Sequence, residues 1–127
     1  MTSESGTAHT WEKLRAAFEN LPYDVVVVTL PVCLEACSER ARQIDKGFDD
    51  LHDDKHTSGE IAQAAATYAL ATSSVRAPIR PSDLWPWEDN SFKPRGRREN
   101  LIRAIALLLA EVERLDRVEV RKVADHG

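Results

Sequence analysis

The tightest constraint in this chain lies near its C-terminal end. Leu101, Ala104, Ile105, Leu108, Val112 and Leu115 recur three and four residues apart, the spacing that lines up one face of an α-helix. Ile102, Ala106 and Leu109 widen the stripe in its first half. The pattern predicts a helix from about Arg98 to Arg117 or beyond. A helix so broadly apolar is expected to be buried on more than one side, as the central core helix. Arg103, Arg114 and Arg117 then point away from the core, and the charged stretch after Val118 frays.

The remaining elements must pack around that helix. Thr10 caps a short helix over Trp11–Asn20, with Trp11, Leu14, Ala17 and Phe18 on one side; Leu21-Pro22 ends it. Asp24–Leu30 contains four consecutive valines, a β-branched run that reads as a strand or an extended arm. Pro31 suits the first turn of a helix running to about Lys46, with Gly47 as its stop. Its apolar side is Cys33, Cys37, Ala41 and Ile44; Glu35, Glu39, Arg40 and Arg42 face outward. Phe48–His56 is a loop. Thr57-Ser58-Gly59-Glu60 fits a capping box opening an alanine-rich helix from about Ser58 to Thr72. Its small side chains allow close approach of another helix, with Ile61, Ala65, Tyr68 and Leu70 or Thr72 inward. A linker over Thr72–Asp83 leads to Leu84-Trp85-Pro86-Trp87, an extended segment laid across the core. The expected fold is mainly α: a compact helical bundle of about four helices with one N-terminal β-strand or extended arm. Residues 1–9 are expected to be a flexible tail and residues 10–127 a single helical domain.

Composition narrows the function classes. The formal net charge is −4, whereas a duplex-binding surface is clearly basic; general nucleic-acid binding is not expected. No apolar run approaches the ~20 residues that cross a bilayer, so no membrane partner is expected. The opening residues do not resemble a secretory leader, and the two cysteines share one helix instead of forming a disulfide framework. A cytoplasmic setting follows as an expectation. Helix stripes this wide in a short chain also suggest a homodimer.

Charge is unevenly placed, and that points to two candidate sites. Lys93-Pro-Arg95-Gly-Arg97-Arg98 is basic, has its backbone broken by Pro94 and Gly96, and precedes a helix start. Cations beside free N–H groups suit phosphate, so Lys93, Arg95 and Arg98 are candidate phosphate ligands. Trp85, Trp87 or Phe92 is placed to stack on a ring. The acidic side is Asp49, Asp50, His52, Asp53, Asp54 and His56, followed by Glu60. Imidazole and carboxylate are the usual ligands of divalent metals, which makes His52, Asp53, His56 and Glu60 candidates. Glu113 and Asp116, three apart on one flank of the last helix, complete a possible magnesium set. The bland alternative is that the acidic and basic loops pair with each other. Cys33 and Cys37 are expected to be packed, not to ligate.

Those residues carry a resemblance. Glu39-Arg-Ala-Arg-Gln-Ile44, Gly47-Phe48, His52-Asp-Asp-Lys-His56, Gly59-Glu-Ile-Ala-Gln-Ala-Ala65, Tyr68-Ala69, Trp85-Pro-Trp87, Phe92-Lys-Pro94 and Ala110-Glu-Val-Glu-Arg-Leu-Asp-Arg117 together resemble a family of small phage- and prophage-encoded proteins over most of residues 38–117. Members usually show Trp where this chain has Phe48. The resemblance implies a phage or prophage source, hence the host cytosol, and no particular activity. A second one is to all-α nucleotide pyrophosphohydrolases of the MazG type, which hold magnesium between a Glu-Glu-x-x-Glu helix and a Glu-x-x-Asp helix. Glu113 and Asp116 match the second helix. The helix expected over Ser58–Thr72 supplies only Glu60 and Gln63, so His52, Asp53 or Glu39 would have to substitute.

Three readings therefore leave the sequence. One is a phage-associated protein that binds a phosphorylated small ligand, a nucleotide, and sequesters it without turnover. Another is a magnesium-dependent MazG-like pyrophosphohydrolase of nucleoside triphosphates. The third is a non-catalytic module acting on a host protein through its valine arm and tryptophans. Whether the chain is an enzyme stays open at this point.

Overall fold

A computed structural model describes residues 2–73 and 80–126, with backbone only for residues 2–9 and 126. The linker expected over Thr72–Asp83 therefore lies largely outside the described residues. The described chain is helical and contains no strand. Helices α1 (Thr2–Glu19), α2 (Leu30–Asp45), α4 (Glu60–Leu70) and α6 (Arg97–His126) are the long ones; α3 (Asp50–Asp53) and α5 (Pro81–Leu84) are single turns. Packing divides the chain into two compact units, Met1–Leu34 and Glu35–Gly127.

In the first unit, α1 starts well before Trp11. Of the residues expected on one side of it, Trp11, Leu14 and Phe18 are each more than half exposed. The valine run, expected to be extended, forms a π-helical segment, Val25–Thr29, continuous with α2. The β preference of valine is a preference for packing on a pleated surface. With no described strand to pair with, the backbone satisfies its own polar groups by helical bonding.

In the second unit, α4 lies against α6 along most of its length. The core is Ile61, Ala64, Ala65 and Tyr68 of α4 with Ala104, Leu107 and Ala110 of α6. Four of these residues are alanines, which brings the two helix backbones close. Trp85, Trp87, Phe92 and Ala69 cover the edge of this core. Of the residues expected inward on α4, Ile61, Ala65 and Tyr68 are buried, while Leu70 is exposed. The capping geometry differs from the expected box. Gly59 is the N-cap with φ 89°, and Glu60, at the first helical position, accepts the Ser58 N–H at 2.6 Å.

The end of α2 follows its sequence signal closely. Gly47 has φ 104°, the left-handed region open to glycine. Its N–H bonds to the Ile44 carbonyl, and the Phe48 N–H to the Gln43 carbonyl, both at 3.0 Å. These are the two bonds of a Schellman stop.

The buried faces of α2 and α6 differ from expectation. On α2, Cys33, Cys37, Ala41 and Ile44 are exposed, and the buried residues are Ala36, Arg40 and Gln43. On α6, Ala104 is buried, but Leu101, Ile105, Leu108, Val112 and Leu115 stand 37–56% exposed. Asn100 and Arg114 are buried instead. The reason is ion pairing. Arg40 reaches the Phe48 carbonyl, Asp53 and Glu113 at 3.0–3.3 Å, so its guanidinium stitches α2 to α3 and α6. Arg114 is held by Glu111 at 2.7 Å. Buried charges are tolerated when paired and hydrogen-bonded in this way. The α6 helix also continues unbroken past Val118.

Candidate functional site: a cationic, aromatic-walled cavity

The segment Leu84–Gly96 is held by hydrogen bonds to its backbone as well as by the packing of Trp85, Trp87 and Phe92 on the core. Gln63 donates to the Leu84 carbonyl at 2.5 Å. The Tyr68 hydroxyl accepts the Lys93 N–H at 3.1 Å, and Arg103 donates to the Lys93 carbonyl. Asn100, fully buried, takes both backbone groups of Arg95: its oxygen accepts the N–H at 2.7 Å and its amide nitrogen donates to the carbonyl at 2.9 Å. The charged ends of Lys93 and Arg95 are left uncommitted, since no ion pair among the described residues involves either.

Beside this segment is a cavity of about 410 Å³, within the usual range for a small-molecule site. One wall is aromatic: Trp85 packs edge-on against Trp87 (5.2 Å) and Tyr68 (5.5 Å), and Trp87 continues to His52 (6.0 Å), which meets Phe48 (4.9 Å). The rest is charged. Arg42, Lys46, Lys93, Arg95 and Arg103 line it against two carboxylates, Glu39 and Glu88. Arg42 is occupied by Glu39, at 2.6 and 2.7 Å. Arg103 lies over the Tyr68 ring at 5.7 Å, a cation–π placement. Lys46, like Lys93 and Arg95, has no ion pair among the described residues. Burial pushes the Glu39 carboxyl up, but bonds from Arg42 and Gln43 and the Arg103 charge outweigh it, and the net shift is downward. Glu39 is therefore ionised at neutral pH, and the cavity keeps an excess of positive charge.

Two residues of this lining each carry a buried polar atom with no partner among the described residues, Gln43 Oε1 and Trp87 Nε1. The contrast with Trp85 is direct, since its Nε1 donates to the Glu88 carbonyl and to Ser91 Oγ, both at 3.0 Å.

Of the residues singled out from sequence for phosphate and ring binding, Lys93, Arg95, Trp85 and Trp87 line this one cavity. Arg98 does not. It sits in a neighbouring depression with Glu35, Glu39 and Arg42, bonded to Glu35 at 2.6 and 2.8 Å. That bond lowers the Glu35 pKa and raises that of Arg98. Gln43, Arg42, Lys46, Phe48, Tyr68 and Arg103 were not singled out as site residues. They come from α2, the turn that follows it, α4 and α6, and only folding brings them to the cavity.

The six residues considered as metal ligands do not converge. Among the described residues no three His, Cys, Asp or Glu side chains form a group able to hold a metal ion. Asp53 is buried between Arg40 (3.3 Å) and His52 Nδ1 (3.2 Å), and Glu113 is taken by Arg40 at 3.1 Å. His52 and His56 stack on each other at 4.7 Å and lie against Trp87. His56 Nδ1 is 3.4 Å from Glu60, whose carboxyl is pulled down by its own N–H, then by Ser58 and His56. Asp116 is exposed on α6. The acidic loop and the basic segment do not pair with each other either. Asp54 instead pairs with Arg117 and Arg121 of α6, at 2.9 and 2.7 Å.

Comparison with protein-family models, with curated proteins and with solved structures finds no match. Among the described residues no helix is long and apolar enough to cross a membrane.

Proposed function

We propose that the cavity binds a small phosphorylated ligand bearing a flat ring, a nucleotide, and holds it without turnover. The observation that carries this reading is the meeting of three unpaired cations, Lys46, Lys93 and Arg95, with the Trp85–Trp87–Tyr68 wall around one cavity. Phosphate satisfies cations of this kind. A base stacked on an aromatic side chain gains about 1–3 kcal/mol. Of the carboxylates that a hydrolytic reading would use, Glu60, Glu113, Asp116 and Asp53, two, Asp53 and Glu113, are engaged by Arg40, which favours storage or sequestration. The resemblance to phage- and prophage-encoded proteins fits a role in the host cytosol that withholds a nucleotide. Calorimetric titration with nucleoside mono- and triphosphates tests the reading. Binding is expected, weakened about tenfold or more in Lys93→Ala or Arg95→Ala; Arg98→Ala, already paired with Glu35, changes little. No heat with any nucleotide, or wild-type and Lys93→Ala indistinguishable, would overturn it.

We infer further that α6 is the seat of a weak homodimer. Its exposed residues repeat as Leu101, Ile105, Leu108, Val112 and Leu115. This is an alternating four-three spacing with Ile and Val at one position and Leu at the other, the pattern that favours two strands. The seam is about 21 Å long and a helix about 10 Å wide, which gives only a few hundred Å² per copy. A stable pair buries ~800 Å² per partner. The expected state is therefore monomeric at low micromolar concentration and dimeric well above it. Sedimentation velocity across that range should show the shift, and Leu108→Asp should abolish it. A monomer at every concentration contradicts the seam.

A further inference from the structure

We propose that Arg103 is the phosphate anchor of the cavity, taking two phosphate oxygens on its Nε–Nη2 edge, and that Tyr68 is its positioning residue. This rests on the nucleotide reading above and assigns the atoms that hold the phosphate.

The cations that line the cavity are not equivalent. Arg42 is neutralised by Glu39. Lys46, Lys93 and Arg95 are unpaired among the described residues but exposed, so a ligand must order each of these long side chains and offset the entropy lost. Arg103 combines two properties that the others hold separately. It has no ion pair among the described residues, and its guanidinium is already fixed. Nη1 donates to the Lys93 carbonyl, and the group lies over the Tyr68 ring at 5.7 Å. The Tyr68 hydroxyl accepts the Lys93 N–H at 3.1 Å. Tyr68 therefore holds Arg103 twice, through its ring and through the backbone of Lys93.

The bonding also says which edge of the guanidinium is left. Nη1 is used, while Nε and Nη2 have no partner among the described residues. Arg103 is only half-buried, and the buried unpartnered atoms among the described residues are Gln43 Oε1 and Trp87 Nε1. Arg103 Nε and Nη2 are therefore accessible, on a side chain that lines the cavity. These two nitrogens form the side of the fork whose parallel N–H bonds match two oxygens of a carboxylate or phosphate. Elsewhere in the chain the same edge is used in this way: Arg42 holds both oxygens of Glu39, and Arg114 both oxygens of Glu111, through Nε and Nη2. No carboxylate among the described residues takes the Arg103 edge. Glu39 feels the Arg103 charge, but its oxygens are bonded to Arg42 and Gln43. A phosphate monoester supplies the two oxygens that this edge lacks.

The test is calorimetric titration of the full chain with GMP and with guanosine, which keeps the ring and lacks the phosphate. Arg103→Lys keeps the charge and removes the fork, so GMP affinity should fall about tenfold while guanosine affinity stays unchanged. Tyr68→Phe keeps the ring and removes the hydroxyl. It should lower the GMP-to-guanosine affinity ratio several-fold by itself and add little in the Arg103→Lys background, because it acts through Arg103. Tyr68 belongs to the core cluster and Arg103 does not, so Arg103→Lys decides even if Tyr68→Phe fails to fold. GMP affinity unchanged in Arg103→Lys, or an equal loss for guanosine, overturns the anchor and leaves the nucleotide reading standing. A ratio unmoved in folded Tyr68→Phe overturns the positioning role. If neither GMP nor guanosine binds the wild type, the nucleotide reading falls with the anchor.

Discussion

Arg40 shows what a helical wheel can and cannot say. Periodicity groups residues by face; it does not say which face turns inward. Counting charge as outward puts Arg40 on solvent, yet it is one of the best-buried side chains of α2, spanning Phe48, Asp53 and Glu113. The partners lie 13 and 73 residues away in sequence, so no local pattern announces them. Removing one member of a buried ion pair strands the other charge, at a cost of about 3–5 kcal/mol. Asp53→Ala should therefore lower the urea midpoint strongly without altering the m-value, and a shift within error would mean that Arg40 finds solvent instead. Asn100 acts on a smaller scale. Asn100→Ala leaves the N–H and carbonyl of Arg95 without their partner. It should destabilise by about 1–3 kcal/mol and loosen the segment that presents Lys93 and Arg95, as seen by faster hydrogen exchange at those amides.

At the scale of elements, the short-range signals were readable and the long-range ones were not. The stop of α2 at Gly47, the alanine face of α4 and the laying of Trp85 and Trp87 over the core follow from local chemistry, and all appear. The valine run does not form the expected strand, because a strand depends on a neighbour that the local sequence does not supply. Half of the cavity was legible for the same reason. Lys93, Arg95, Trp85 and Trp87 lie within one short stretch, whereas Gln43 of α2, Lys46 of the turn after it and Arg103 of α6 arrive from elsewhere in the chain. The docking of α3 on α6 has its own electrostatic signature. Bonds from Arg117 and then Arg121 hold the Asp54 carboxyl below its usual range. Its folded pKa is lower than its unfolded one, so this stabilisation is fully present above the unfolded value, near pH 4, and is lost as pH falls through the folded value. The lowered Glu35, Glu39 and Glu60 act in the same direction. Thermal stability should be flat from about pH 7 to 5 and fall below about 4, less steeply in Asp54→Asn. A midpoint that rises on acidification contradicts these pairings.

For the molecule as a whole, the division at Leu34 has a consequence. The α4–α6 core, the Arg40 network and the cavity all belong to Glu35–Gly127. A chain starting at Glu35 is expected to keep a cooperative melt and the ligand affinity of the full chain. A truncated chain that cannot fold would make the first unit part of the core.

The central claim is that the tryptophan wall of a cationic cavity receives a nucleotide. The most direct measurement is the indole N–H region of a ¹H–¹⁵N spectrum, in which the three tryptophans of the chain give one signal each. On titration with GMP, the signals of Trp85 and Trp87 should move together with one dissociation constant. Trp11, exposed on α1, should stay still. Unmoved Trp85 and Trp87 signals at millimolar nucleotide, or a shift confined to Trp11, would contradict the account.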